Sequence, residues 1–90
     1  MDAHHWGLVS EVVETDALAV RAAEVSAQFA ALPTRAIGMT KRLIDHAVNA
    51  TLEQQIEREA ELQTAATQTD DFKEGVAAFL EKRKPEFRGG

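Results

Sequence analysis

Cysteine and tyrosine are absent from these 90 residues, and proline occurs only twice. Without cysteine there is no disulfide and no thiolate metal site, and redox usage says nothing about the compartment. No apolar run approaches the ~20 residues that a membrane span needs. The opening MDAHHWGLV lacks a basic stretch followed by an apolar one, so it does not read as a signal peptide. Positive charge is in deficit: 10 Lys and Arg stand against 15 Asp and Glu, for a net charge of −5. A general affinity for nucleic acid needs the opposite balance. The expectation is a cytoplasmic protein with neither nucleic acid nor membrane as partner.

What is present favours helices. Alanine, glutamate, leucine and glutamine are abundant, and all are good helix formers. A chain of this length buries only about 60–65% of the surface it exposes when unfolded, so its core is thin.

One stretch reads otherwise. Leu8 to Val13 is enriched in valine and bounded by Gly7 and Thr15-Asp16, which predicts a short strand. A lone strand cannot satisfy its own backbone groups, and no second convincing strand follows. Its partner is therefore expected outside these residues.

Four helices are then predicted. Thr15 or Asp16 is placed to cap the first, where Leu18, Ala22, Val25, Phe29 and Leu32 form one apolar stripe. Pro33 ends it and fits the first turn of the second, about Thr34 to Asn49. Ala36, Ile37, Thr40, Leu43, Ile44, Ala47 and Val48 make its apolar side, and Gly38 suggests close approach of a neighbour. Thr51 and Gln54 have capping-box spacing at the start of the third, the most charged helix. Leu52, Ile56, Ala60 and Gln63 mark one of its faces, and Leu62 and Ala66 a second. Asp71 and Glu74 have the same capping spacing at the start of the fourth. Phe72, Val76, Phe79 and Leu80 form its apolar side, and Gly75 permits close packing. Lys82, Arg83 and Lys84 suit the negative end of the helix dipole, Pro85 is the expected stop, and Glu86 to Gly90 reads as a loose tail.

Three pieces of this chain carry a family resemblance. The first is Ala3-x-x-x-Gly7-Leu8-Val9 with Val12-Val13. The second is Pro33-Thr34-Arg35-Ala36 with Thr40-Lys41-Arg42-Leu43. The third, long and ordered, is Thr69-x-Asp71-x-x-Glu74-Gly75-x-x-Ala78-Phe79-x-Glu81-Lys82-Arg83-x-Pro85-x-Phe87. Together they resemble the C-terminal portion of the crotonase superfamily, the enoyl-CoA hydratase/isomerase proteins. The second piece, with Glu59-Ala60-x-Leu62-Gln63, looks most like the phenylacetate-pathway isomerase branch, the PaaG-like proteins.

The resemblance implies a mainly α chain: one short N-terminal strand and about four helices, the helical end of a ClpP/crotonase-type fold without its ββα core. Residues 1–14 would be the end of that core with its last strand, and 15–90 a helical region for oligomerisation and CoA capping. It implies a parent activity of hydration or double-bond isomerisation of acyl-CoA thioesters. In such proteins preorganised N–H donors hold the enolate oxygen and a carboxylate moves the α-proton. Neither role falls on a residue here, so the isolated chain is expected to be inactive. The family pattern is already under way at Met1, which suggests a truncated reading frame, a remnant gene or an expressed fragment.

The resemblance also implies a contact with the coenzyme A moiety through Phe79 and Lys82, in related hydratases facing the adenine and the 3′-phosphate of a CoA on a neighbouring subunit. Their i, i+3 spacing would put both on one helix face. An aromatic ring offers a stacking surface and an ammonium offers a point charge for phosphate. Composition alone makes Phe79 a core residue and Lys82 a solvated helix end, and both readings stay open here. The implied partners are a second copy in trimer-type association or a full-length family member, together with acyl-CoA. The alternative function is a stand-alone helical module that binds itself or a partner without catalysis.

Other polar groups read as bland. His4 and His5 are adjacent and have no third ligand nearby, so no metal site is expected. Glu57, Glu59 and Glu61 lie on a charged helix and are expected to face solvent rather than to form a catalytic pair.

Overall fold

The computed structural model describes residues 2–90. The order of elements is α1 (Asp2–His5), a 3-10 turn (Thr15–Ala17), α2 (Leu18–Ala30), α3 (Thr34–Ala47), α4 (Leu52–Thr67) and α5 (Asp70–Leu80).

The expected strand is absent among the described residues. Leu8 to Ser10 bends, and Glu11 to Glu14 is irregular and pairs in no ladder, with Glu14 alone given an extended backbone. The physical reason is the one that made a lone strand costly: nothing among the described residues offers it a second edge. Gly7 instead adopts φ +79° and turns the chain back, so that the Leu8 N–H donates to the Ala3 carbonyl at 2.8 Å. The expected Thr15 or Asp16 cap also fails to form. The 3-10 turn leads straight into α2, whose N-cap Ala17 offers no side-chain acceptor.

The middle of the chain follows its sequence signals more closely. Pro33 occupies the N-cap of α3, one position earlier than expected, where its missing N–H still costs nothing. At α4 the expected capping box forms. The Gln54 N–H donates to Thr51 Oγ1 at 3.2 Å, and the Thr51 N–H donates to Gln54 Oε1 at 3.0 Å. Gln55 ties α4 to the end of α3, donating to the Leu43 carbonyl at 3.0 Å. α3 packs along α4, and α4 meets α5 more briefly.

The result is flat and open, 42 × 39 × 19 Å. Its Cα radius of gyration is 16.9 Å, where about 12 Å is usual for a compact domain of this length. It exposes 7488 Å², against about 5,200 Å² for a folded monomer of 9.9 kDa. Leu62 and Ala78 are the buried apolar residues, while Leu18, Phe29, Ile44, Leu52 and Ile56 are all more than half exposed. The stripes of α2, α3 and α4 are therefore present but largely uncovered. A Cβ added to Gly38 would meet nothing within 4 Å, so the close neighbour expected there is not among the described residues.

Candidate functional site

The best-organised part of the molecule is α5 with residues 81–90. Thr69 begins it. Its hydroxyl accepts from the Phe72 N–H at 3.1 Å and donates to the Ala66 carbonyl at 2.7 Å, so one buried side chain caps α5 and closes α4. Asp71 and Glu74, expected to cap, do something else.

α5 stops at Leu80, five residues before Pro85, in a Schellman motif. The Arg83 N–H donates to the Ala78 carbonyl at 3.0 Å and the Lys82 N–H to the Phe79 carbonyl at 3.3 Å. The residue between cap and tail takes a left-handed conformation that usually calls for glycine. Here it is Lys82, with φ +56°. Lys82 thus lies beyond the helix, not on a helical face shared with Phe79.

The tail that read as loose is folded back along α5. The Asp71 carboxylate, 4% exposed, accepts from the Arg88 N–H at 2.8 Å and the Gly89 N–H at 2.9 Å, and the Asp71 N–H donates to the Gly90 carbonyl at 3.1 Å. Glu74 accepts both terminal nitrogens of Arg83, at 2.7 and 2.8 Å, and the Glu86 N–H at 2.7 Å. The Arg83 fork, followed by the Glu86 amide, holds the Glu74 carboxyl down at about 2, well below its ordinary value of 4.5. The same pair, with Glu81, raises the Arg83 guanidinium. Phe87 then lies against Gly75, its ring 3.6 Å from where a Cβ would stand. This is the close approach expected at that glycine.

The clasp leaves an open apolar groove of about 410 Å³, lined among others by Pro33, Ala36, Phe72, Val76, Phe79 and Phe87. Phe79 is 81% exposed, so it is not a core residue of this chain. Lys82 is exposed as well. The two expected CoA residues are thus joined by a backbone hydrogen bond, Phe79 in the wall of this groove and Lys82 just beyond the end of α5, and both are exposed. Asp71, Glu74 and Arg83 are what sequence reasoning missed as a unit. Its signal was two acids three apart on a helix, followed within 18 residues by arginine, proline and phenylalanine.

The remaining candidates stay apart. Glu57, Glu59 and Glu61 are largely exposed on α4, where Glu61 pairs with Arg58 at 3.0 Å. His4 and His5 are exposed on α1, and no cluster of three metal-binding side chains occurs among the described residues. Nor is any described helix long and apolar enough to cross a membrane.

Comparison with known proteins agrees with this helical architecture. The model of the enoyl-CoA hydratase/isomerase family matches residues 1–90. The chain is 39% identical to the 1,2-epoxyphenylacetyl-CoA isomerase of Escherichia coli K12 over 97% of its own length and 33% of that protein. This bears out the likeness to the phenylacetate-pathway branch. An enoyl-CoA hydratase/isomerase-type crystal structure from Mycobacterium abscessus superimposes with a TM-score of 0.92 at 39% identity, covering 99% of this chain and 34% of that one. An enoyl-CoA hydratase structure from Geobacillus kaustophilus gives 0.88 at 34% identity, again over 99% and 34%. The chain spans about a third of the length of the relatives it matches. With the whole chain covered by the family pattern, this protein belongs to the enoyl-CoA hydratase/isomerase family.

Proposed function

We propose that this chain is the helical, CoA-facing region of an enoyl-CoA hydratase/isomerase-type protein whose reaction is hydration or double-bond isomerisation of an acyl-CoA thioester. Residues 1–14 are the edge of the catalytic core, and residues 15–90 cover that core and contact neighbouring subunits in a trimer-type assembly. Phe79 offers its ring to the adenine of the CoA moiety and Lys82 its ammonium to the 3′-phosphate. The observation that carries this reading is an 81% exposed phenylalanine in the wall of an apolar groove, with an exposed lysine bonded through its backbone N–H to that phenylalanine's carbonyl. Buried aromatics dominate packing energies, so an exposed one beside a cation calls for an occupant. The surface excess of roughly 2,300 Å² over a compact monomer exceeds what one partner contributes to a standard interface.

The chemistry needs donors around the thioester oxygen and a carboxylate at the α-carbon. Asp71, Glu74 and the acids of α4 are not read as that carboxylate. Asp71 and Glu74 are engaged in the clasp, and the acids of α4 face outward. The chain alone therefore binds a handle and does not turn substrate over. Crotonyl-CoA hydration is assayed with the purified 90-residue chain, free of host enzyme, and no rate above background is expected. A rate that survives repurification overturns the division of labour. Titration with coenzyme A tests the contact: weak binding is expected, further weakened by Lys82→Ala and by Phe79→Ala. Indifference to both substitutions refutes it.

A second reading is favoured by α2, where Leu18 and Phe29 are more than half exposed, with Leu32 just beyond its end 42% exposed. Such a face suits a stand-alone module that associates with itself or a relative. Light scattering that gives a monomer with a cooperative melt sinks it.

A further inference from the structure

Three cations follow one another at the end of α5, and only the middle one is engaged. Arg83 is held by Glu74 through both terminal nitrogens and by Glu81 at 2.5 Å. Among the described residues Lys82 and Lys84 make no ion pair. The clasp therefore sorts the run: one cation is used structurally, and its neighbours are left free for an anion.

The same clasp fixes where Lys82 stands. On its N-terminal side, its own N–H is bonded to the Phe79 carbonyl. On its C-terminal side, Arg83 is bound by backbone to Ala78 and by side chain to Glu74. Glu86 is bound to Glu74 in turn. Between these anchors Lys82 holds a left-handed conformation that a residue with a Cβ seldom adopts unaided. An unfavoured backbone state persists when its surroundings over-determine it. Two flanking attachments to one helix do so here.

We infer that Glu74 and Arg83 are positioning residues for the phosphate-bearing end of the CoA handle: their fork holds Lys82 beside Phe79 and keeps Arg83 from competing for the anion. This rests on the reading that Lys82 meets the 3′-phosphate. It adds that residues which never touch the ligand set the selectivity for that phosphate. A cation free to swing contributes little to an exposed ion pair, because it gives up side-chain entropy on binding, while a preplaced one gives up less.

The test is discrimination between coenzyme A and dephospho-coenzyme A, which lacks the 3′-phosphate, followed by NMR titration of the 90-residue chain. The unsubstituted chain is expected to prefer coenzyme A roughly three- to fivefold. Lys82→Ala is expected to erase that preference. Glu74→Gln combined with Arg83→Gln leaves net charge unchanged and removes the fork. It too is expected to erase the preference while leaving the dephospho-coenzyme A affinity within about twofold, since the stacking partner is untouched. The exchanged pair, Glu74→Arg with Arg83→Glu, is expected to restore at least half of the preference, which a loss of folding alone does not predict. Helicity at 222 nm checks each variant. If Lys82→Ala loses the preference and a folded double-glutamine variant keeps it, the positioning role is wrong and the Lys82 contact stands. If the double-glutamine variant unfolds, the exchanged pair decides: folded without preference, it overturns the positioning role. If the unsubstituted chain shows no preference, the Lys82 contact itself falls and takes this inference with it.

Discussion

Residues 2–32 and residues 69–90 solve the problem of order in opposite ways. The first segment carries large apolar side chains and leaves them in water: Trp6 and Leu8 are 77% exposed, and Leu18 and Phe29 on the α2 stripe are 59% and 53% exposed. α2 packs chiefly on its own 3-10 lead-in, helped by an exposed ion pair in which Arg21 holds Glu11 at 2.8 Å. The second segment buries Ala78 and lays Phe87 on Gly75, and its bonds reach across 12 to 18 residues from Asp71 and Glu74 to tail amides. Apolar stripes give direction but need a partner, whereas buried carboxylates that accept backbone N–H groups make a segment self-sufficient. The N-terminal part thus leaves its apolar side chains uncovered among the described residues, and the C-terminal part is tied together by its own hydrogen bonds.

The largest effect that would break this contrast is at Asp71. Asp71→Ala leaves the Arg88 and Gly89 N–H groups unpartnered where they were part-buried. Losing two hydrogen bonds to a charged acceptor costs about 3–6 kcal/mol. The expected outcome is loss of hydrogen-exchange protection at Arg88 and Gly89, with a lower urea midpoint, while Leu62 in α4 keeps its native chemical shifts. Asp71→Asn retains an acceptor and is expected to fall between. Unchanged protection in Asp71→Ala would mean that the tail is held by something other than this carboxylate.

Acid gives the next test. The Glu74 carboxyl is held at about 2 by the Arg83 fork and the Glu86 N–H, against an ordinary 4.5. A depressed carboxylate stabilises the fold fully above its unfolded value, and that contribution drains away as pH falls toward the folded value. Between about pH 4.5 and 2 the clasp should therefore weaken, and above that window it should be indifferent to pH. A carbon-detected titration of Glu74 is expected to centre near 2, with the Glu86 amide losing protection in the same window. A midpoint at the ordinary glutamate value would show the fork to be open in solution. Arg21 and Glu11 sit in solvent, and removing either is expected to move the melt far less than disruption of the clasp does.

How much of this was legible follows the same division. Periodicity located α2 to α5 within a few residues, and the Thr51–Gln54 box is local enough to be read from spacing. The strand was misread because valine enrichment reports a fit to a pleated surface, and here no second strand supplies that surface. Gly7 bends the segment instead. The clasp was illegible because spacing three apart describes both a capping box and two acceptors turned toward a tail. Thr69, two residues upstream of Asp71, had already taken the capping role. Likewise Pro85 looked like the stop, although the left-handed Lys82 ends the helix first. Phe79 and Lys82 came from family likeness, since nothing in periodicity separates an exposed aromatic from a core one.

The smallest effect concerns two helix glycines, Gly75 in the clasped segment and Gly38 on α3, whose stripe is left uncovered like that of α2. A Cβ at Gly75 would stand 3.6 Å from Phe87, an ordinary contact, whereas at Gly38 it would meet nothing within 4 Å. Glycine inside a helix is less favourable than alanine by ~1 kcal/mol, partly through the unfolded chain. Gly38→Ala is therefore expected to stabilise the isolated chain by about 0.5–1 kcal/mol in urea unfolding, and Gly75→Ala by no more, since Phe87 already fills that space. The comparison sharpens when each change is placed in a full-length relative at the aligned positions. If α3 is covered by another element there, the methyl at the Gly38 position loses its benefit or becomes a cost. The change at the Gly75 position, whose neighbour is the chain's own tail, behaves as before. A Gly38→Ala gain that persists unchanged in the longer protein would show that this face of α3 stays open, and the uncovered stripes would then need a different explanation.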